Sequence, residues 1–276
     1  THPNQKTGHA DLVQTESGEW YIVFLAGRPL TPLGKCPLGR ETCIEKLRWP
    51  EGEWPRLEAG GKLARVSIPG SQPEISRIIK EVIDFESDTL PDTYKPDSGV
   101  LKLLGRESLT SLFEQSLLAR RVQSHHFTYE ISFDFHPKSF QQMAGLVAYY
   151  NTGHYLYFHV MGDESGTFRW LQLIICNNFQ MAEAISPIEL PDEGKVSLGL
   201  RWMSAEITFS YSVGEGETND LPGNYDGSIL SDDHVRDGSE RYRPAFTGAF
   251  VGIACQDLSG TKALADFTTL AYEEMS

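Results

Sequence analysis

Any chemistry on this 276-residue chain has to come from its eight histidines, four cysteines, 38 acidic and 24 basic side chains. The histidines do not share a metal-binding spacing. His2, His9, His136, His154, His159 and His234 make neither an HxH nor an HxxxH pair, and the adjacent His125-His126 would point to opposite faces of a strand. Nucleophilic catalysis finds no G-x-S-x-G elbow, and no glycine loop joins a strand to a helix where a phosphate could sit. Paired-carboxylate chemistry has too many candidates. Asp11, Glu41, Asp84, Glu86, Asp163, Asp257 and Asp266 are undistinguished by spacing, so no acid and base separate from the 38.

Two places stand apart. In Cys36-Pro37-Leu38-Gly39-Arg40-Glu41-Thr42 a loop stiffened at Pro37 and loosened at Gly39 delivers an arginine just before a strand. The planar guanidinium fork suits carboxylates and vicinal hydroxyls; the plainer alternative is a surface arginine paired with a nearby glutamate. His9, in Gly8-His9-Ala10-Asp11, opens the first strand, where a ligand role competes with that of a satisfied structural histidine.

Composition narrows the partners. Basic minus acidic residues, 24 − 38, gives a formal charge of −14, and lysines and arginines occur singly or in pairs. A polyanion needs clustered cations, so nucleic acid is excluded as a partner. No run of ~18 apolar residues exists to span a membrane, and THPNQKTGHA lacks the apolar core of a secretion signal. Cys36, Cys43, Cys176 and Cys255 show no CxxC spacing and there is no N-x-S/T acceptor, which favours free thiols and a cytoplasmic chain over a secreted one.

The elements that must position these residues are strands. Residues 12–13 and 20–25 (WYIVFL) flank a turn at Glu16-Ser17-Gly18-Glu19, and 45–49 supplies a third strand stopped by Pro50. From 56 to 73 the chain is rich in glycine, proline and small polar residues and reads as a connection hugging the surface. Then strands follow at 82–85, 100–104, 117–121, 127–135, 145–150, 155–161, 168–176, 195–202, 207–213, 250–257 and 265–272. FTYEISFDF (127–135) alternates strictly at period two, as a half-buried antiparallel strand does. About ten such strands with almost no helix predict an antiparallel β-sandwich. A short helix at 74–82 is the one exception. The long acidic segment 214–245 reads as a solvated loop.

At this point the residues resemble a known family. Gly8-His9-Ala10-Asp11, Gly18-Glu19-Trp20-Tyr21, Gly27-Arg28-Pro29-Leu30 and Cys36-Pro37-Leu38-Gly39-Arg40-Glu41-Thr42 resemble the end of the catalytic domain of glycoside hydrolase family 43 β-xylosidases. Leu103-Leu104-Gly105-Arg106-Glu107-Ser108-Leu109, Ala119-Arg120-Arg121, Ala144-Gly145-Leu146, Phe246-Thr247-Gly248-Ala249-Phe250-Val251-Gly252 and Gln256-Asp257-Leu258 resemble the C-terminal sandwich of the same enzymes. The ordered set covers essentially the whole chain.

The resemblance implies an all-β molecule. The last blade of a five-bladed β-propeller (1–57) and a linker (58–82) precede a concanavalin-like antiparallel sandwich (83–276) that closes the active site. It implies inverting, exo-acting hydrolysis of β-1,4-xylo-oligosaccharides, with arabinofuranosidase side activity. The general base, the pKa-tuning aspartate and the general acid of the family lie in earlier blades, so no carboxylate here is nominated for either role. A polypeptide carrying those blades is the implied partner, and the full enzyme is expected to be a homo-oligomer. Three residues carry over. Arg40 matches the arginine that reaches the sugar and the catalytic carboxylates, and Phe246, with Phe250 as alternative, matches the sandwich aromatic over the pocket. His9 matches the histidine near a calcium ion on the propeller axis. A stand-alone lectin-like carbohydrate-binding module is the competing expectation, though such a module has no need of the Trp20 hairpin or the Arg40 loop.

Overall fold

Period-two alternation writes most of this structure, a computed structural model that describes residues 2–32, 34–69, 80–82, 94–97, 99–237 and 245–275. The first 57 residues form an antiparallel sheet in simple chain order: β1 (Gln5–Gln14), β2 (Trp20–Gly27), β3 (Glu41–Arg48) and β4 (Arg56–Leu57). Two points correct the sequence reading. The sheet has a fourth strand where the connection was expected to begin, and β1 runs far beyond residues 12–13. Its length was hidden because the register slips between Gln5 and Gly8 and again between Gly8 and Asp11, with Lys6 (φ 54°) and His9 (φ 52°) in the left-handed region. Each slip is a bulge that breaks the alternation. His9 therefore sits inside a strand, not at its entrance.

The segment after β4 lies on this sheet. The backbone N–H of Glu58 donates to the Lys46 carbonyl at 2.9 Å, and Arg65 closes over Glu45, which is buried on β3. A buried carboxylate requires such a partner, and Arg65 supplies both backbone and guanidinium donors.

The remainder is a two-sheet sandwich. Its strands are β5 (Lys80–Val82), β6 (Tyr94–Asp97), β7 (Val100–Leu104), β8 (Ser116–Arg121), β9 (His126–Asp134), β10 (Gln142–Asn151), β11 (His154–Gly162), β12 (Arg169–Asn177), β13 (Gln180–Glu183) and β14 (Ile188–Leu190). They continue as β15 (Val196–Met203), β16 (Glu206–Val213), β17 (Asn219–Asp220), β18 (Tyr225–Asp226), β19 (Phe250–Asp257) and β20 (Leu264–Glu274). One sheet runs β13-β12-β11-β10-β19-β8 with β14 on β12; the other runs β17-β16-β15-β9-β20-β7-β6 with β18 on β16 and β5 on β20. Every pairing between these named strands is antiparallel.

The alternation of 127–135 is realised as read. Phe127, Tyr129, Ile131, Phe133 and Phe135 are buried against Leu146, Phe158, Leu171 and Leu173 of the opposing sheet. Residues 80–82 of the expected helix are strand, and 74–79 lie outside the described residues. The acidic segment is not a solvated loop. It carries β17, β18, a 3-10 turn (Gly227–Leu230) and a short helix α1 (Asp232–Asp237), and Asp232 and Asp233 are buried. All four cysteines are free thiols. No helix of the described residues is long and apolar enough to cross a membrane.

Candidate functional site

The loop that carries Arg40 leaves the first sheet and is built into the sandwich. Its Leu38 side chain is fully buried in the sandwich core. The backbone is fastened at each step: Cys36 N–H donates to Asp233 Oδ2 at 3.0 Å, and Asp232 N–H to the Cys36 carbonyl at 3.2 Å. Ala249 N–H donates to the Pro37 carbonyl at 2.6 Å, and Arg40 N–H to the Phe246 carbonyl at 3.1 Å. The Arg121 guanidinium donates to the carbonyls of Leu38 and Arg40. Two glycines make this crossing possible. Gly39 (φ +67°) and Gly248 (φ +74°) pass back to back, and a Cβ on Gly39 would lie 2.4 Å from the Gly248 nitrogen. No side chain fits there.

Arg40 Nη1 donates to Asp232 Oδ2 at 2.8 Å. The arginine side chain keeps 19% of its surface exposed, while the carboxylate keeps 1%. Asp232 Oδ1 accepts the Tyr150 hydroxyl at 2.8 Å and the Gly248 N–H at 3.1 Å. Burial pushes the Asp232 carboxyl above its ordinary range, and burial likewise raises the Tyr150 phenol. The next residue behaves oppositely. Burial acts to raise Asp233, but the Lys6 hydrogen bond and charge with the Cys36 N–H outweigh it and hold the carboxyl low. Asp233 thereby ties α1 to the first bulge of β1. Burial also pushes the Cys36 thiol up to about 11, so it is no nucleophile.

Phe246 stands beside this cluster in the turn before β19, 54% exposed. Arg40 and Phe246, 206 positions apart, are thus neighbours through a backbone hydrogen bond. Phe250, the alternative, is half-buried on β19, paired with Tyr149 and Arg121. The plainer alternative, Arg40 paired with a nearby glutamate, does not form with the adjacent Glu41, which is held by both Nε and Nη2 of Arg28, at 2.7 and 2.8 Å. His9 is exposed on β1, and no hydrogen bond or ion pair joins it to Arg40 or Phe246 among the described residues. Nor do the described residues contain three grouped metal-ligating side chains. Calcium takes six to eight oxygens, so one imidazole does not make its cage.

The sequence singles out neither Asp232, Asp233 nor Tyr150, and it marks Arg121 only within the Ala119-Arg120-Arg121 motif, without a role. The Asp232-Asp233 doublet was the one signal present, lost among the other acids of 214–245. Three of the other candidate carboxylates are occupied structurally. Asp257 accepts from Ser259, Thr261 and the Ala263 N–H, Asp266 pairs with Lys102, and Asp163 caps the turn before β12. Asp84 and Glu86 lie outside the described residues.

The loop of the first sheet is thus threaded into the neighbouring sandwich, and comparison with known proteins identifies the family of the chain that carries both. Residues 90–273 match the family model of the β-xylosidase C-terminal concanavalin A-like domain, and residues 1–55 that of glycosyl hydrolases family 43. The chain belongs to glycosyl hydrolase family 43. It is 38% identical to a β-xylosidase of Bacillus subtilis over 99% of its own length and 55% of that protein, and 37% identical to a putative β-xylosidase of Escherichia coli over the same shares. The crystal structure of a xylan β-1,4-xylosidase from Bacillus halodurans superposes with a TM-score of 0.86 at 38% identity, covering 99% of this chain and 54% of that one. This family 43 chain therefore spans about half the length of the relatives it matches.

Proposed function

We propose that the chain is the C-terminal part of an exo-acting, inverting β-1,4-xylosidase that cleaves xylo-oligosaccharides from the non-reducing end. The first sheet (1–57) serves as the last blade of a five-bladed propeller, 58–82 as the connection and 83–276 as the sandwich that closes the pocket. A polypeptide segment carrying the remaining blades supplies the general acid and general base. The observation that carries this reading is Arg40, its loop locked into the sandwich by the Phe246 carbonyl, with its own side chain part-exposed and that of Phe246 exposed.

The chemistry follows from that placement. Inversion needs two carboxyl groups roughly 6.5–9.5 Å apart, one protonating the leaving oxygen and one activating water on the opposite face of the ring. Neither is assigned to this chain. Arg40 brings a fixed positive charge that keeps a neighbouring base ionised and a donor fork that binds sugar hydroxyls. Phe246 offers an apolar wall to the sugar. One relative bears the name xylosidase/arabinosidase 43B, from Humicola insolens at 33% identity, which supports arabinofuranoside cleavage as a side activity here. His9, lifted out by its bulge, contributes at most one ligand to a calcium on the propeller axis, with oxygens from water and the other blades completing it.

Replacing Arg40 by Ala in the complete enzyme tests the reading. Turnover of an aryl xyloside should fall several hundredfold, because a desolvated charged contact in a transition state contributes on the order of 3–4 kcal/mol. Unchanged turnover would remove Arg40 from the active site.

A further inference from the structure

We propose that Asp232, supplied by the sandwich and held by Tyr150, is the positioning residue for Arg40. This rests on the reading that Arg40 works on the sugar, and extends it to the domain behind the pocket.

An arginine is a poor fixed point on its own. Its four side-chain torsions leave the guanidinium free to swing, so whatever reads its planar fork depends on something that holds it. The geometry around Asp232 provides the hold. Three elements of the sandwich converge on one carboxylate: α1 supplies Asp232 itself, β10 supplies the Tyr150 hydroxyl, and the turn before β19 supplies the Gly248 N–H. Those two donors occupy Oδ1, and Oδ2 accepts from Arg40 Nη1. The carboxylate cannot turn without breaking contacts that do not involve the first sheet.

The pair is also asymmetric. Its acidic end is sealed at 1% exposure and its basic end is open at 19%. Partial exposure spares the arginine some of its desolvation cost, and it also leaves part of that side chain open to a ligand, as a positioned arginine requires. Among the described residues, Asp232 is the one side chain paired with Arg40. The neighbouring charges are committed elsewhere, with Lys6 and Arg236 on Asp233 and Arg28 on Glu41. Among the described residues, Arg40 is thus the cation that hydrogen-bonds Asp232.

The test uses the complete enzyme with its remaining blades, in four forms: wild type, Asp232→Asn, Arg40→Ala and the double variant. Asparagine keeps an acceptor for Tyr150 and Gly248 but can present an N–H where Arg40 also presents one. Asp232→Asn should lower kcat for an aryl xyloside by roughly 30- to 100-fold, the loss expected when a group acting in the transition state is misplaced. KM should change much less. The double variant should be no slower than Arg40→Ala alone, since a residue that acts through Arg40 has nothing left to position.

The failures are separable. If Arg40→Ala leaves kcat unchanged, the role of Arg40 falls, and this inference with it. If Arg40→Ala is slow but Asp232→Asn is not, or the two losses multiply, positioning is overturned while the role of Arg40 stands. Where Asp232→Asn does not fold, Tyr150→Phe removes one hydroxyl and leaves the carboxylate in place. It should cost roughly three- to tenfold in kcat, and nothing further in the Arg40→Ala background. A loss that persists undiminished in that background overturns the proposal.

Discussion

The reach of Arg40 is set by which carboxylate holds it, and the choice is decided by competition between neighbours. Glu41 is adjacent in sequence, yet Arg28 takes it with two parallel donors, leaving Arg40 to a partner 192 positions away. Phe246 shows the complementary case of a large apolar ring left out of the core. An exposed aromatic contributes little to folding, and under the proposed function this ring is the apolar wall offered to the sugar. Phe246→Ala should therefore raise KM for a xyloside roughly five- to tenfold, in line with about 1–1.5 kcal/mol for an aromatic contact. The thermal midpoint should barely move, because surface substitutions usually stay within about 0.5 kcal/mol. A collapse in thermal stability would mark the ring as core. Arg40 and Phe246 were legible because their loops resemble family motifs. Asp232 was not, since only burial separates it from the other acids around it, and burial belongs to the fold and not to the local sequence.

Strands were readable where one face is buried and the pattern alternates without interruption, as from Phe127 to Phe135. They were missed where that rule breaks. β1 was truncated because its two bulges shift the period, and β4 was overlooked because two residues carry no period at all. Segment 214–245 hid α1 because a six-residue helix is too short to declare itself through spacing. The element that matters most to the site is the loop crossing, and its cause lies in two residues the eye passes over. Gly39 and Gly248 leave room for two backbones to pass, and the Gly39 φ of +67° is one an L side chain rarely adopts. Gly39→Ala should destabilise the protein by more than about 1 kcal/mol, since both the conformation and the space are incompatible. Turnover in the complete enzyme should fall by up to about 100-fold as Arg40 moves off its position. Thermal unfolding and steady-state rates measure the two effects separately, and unaltered turnover would show that the loop does not fix Arg40.

At the scale of the molecule, the two parts of the chain are unequal. The sandwich buries both inner faces, whereas the first sheet presents Leu12, Val13 and Ile44 to solvent and β1 as a long outer edge. Among the described residues nothing covers that edge. Unpaired backbone beside apolar side chains is a template for further pairing, and a protein that leaves it open aggregates unless a partner closes it. Detaching the sheet is no remedy, because Leu38 roots it in the sandwich core and Asp232 and Asp233 grip it from α1. Under the proposed function, further blades laid against the sheet close it, and relatives of nearly twice this length have room for them. Purification under native conditions should accordingly recover this 30.9 kDa chain joined to, or tightly associated with, polypeptide carrying the remaining blades. Xylosidase activity should travel with that assembly and be absent from the chain alone. Recovery of a folded, monodisperse, monomeric 30.9 kDa species with no associated polypeptide would show that the sheet is complete as it stands, and the propeller reading would fail.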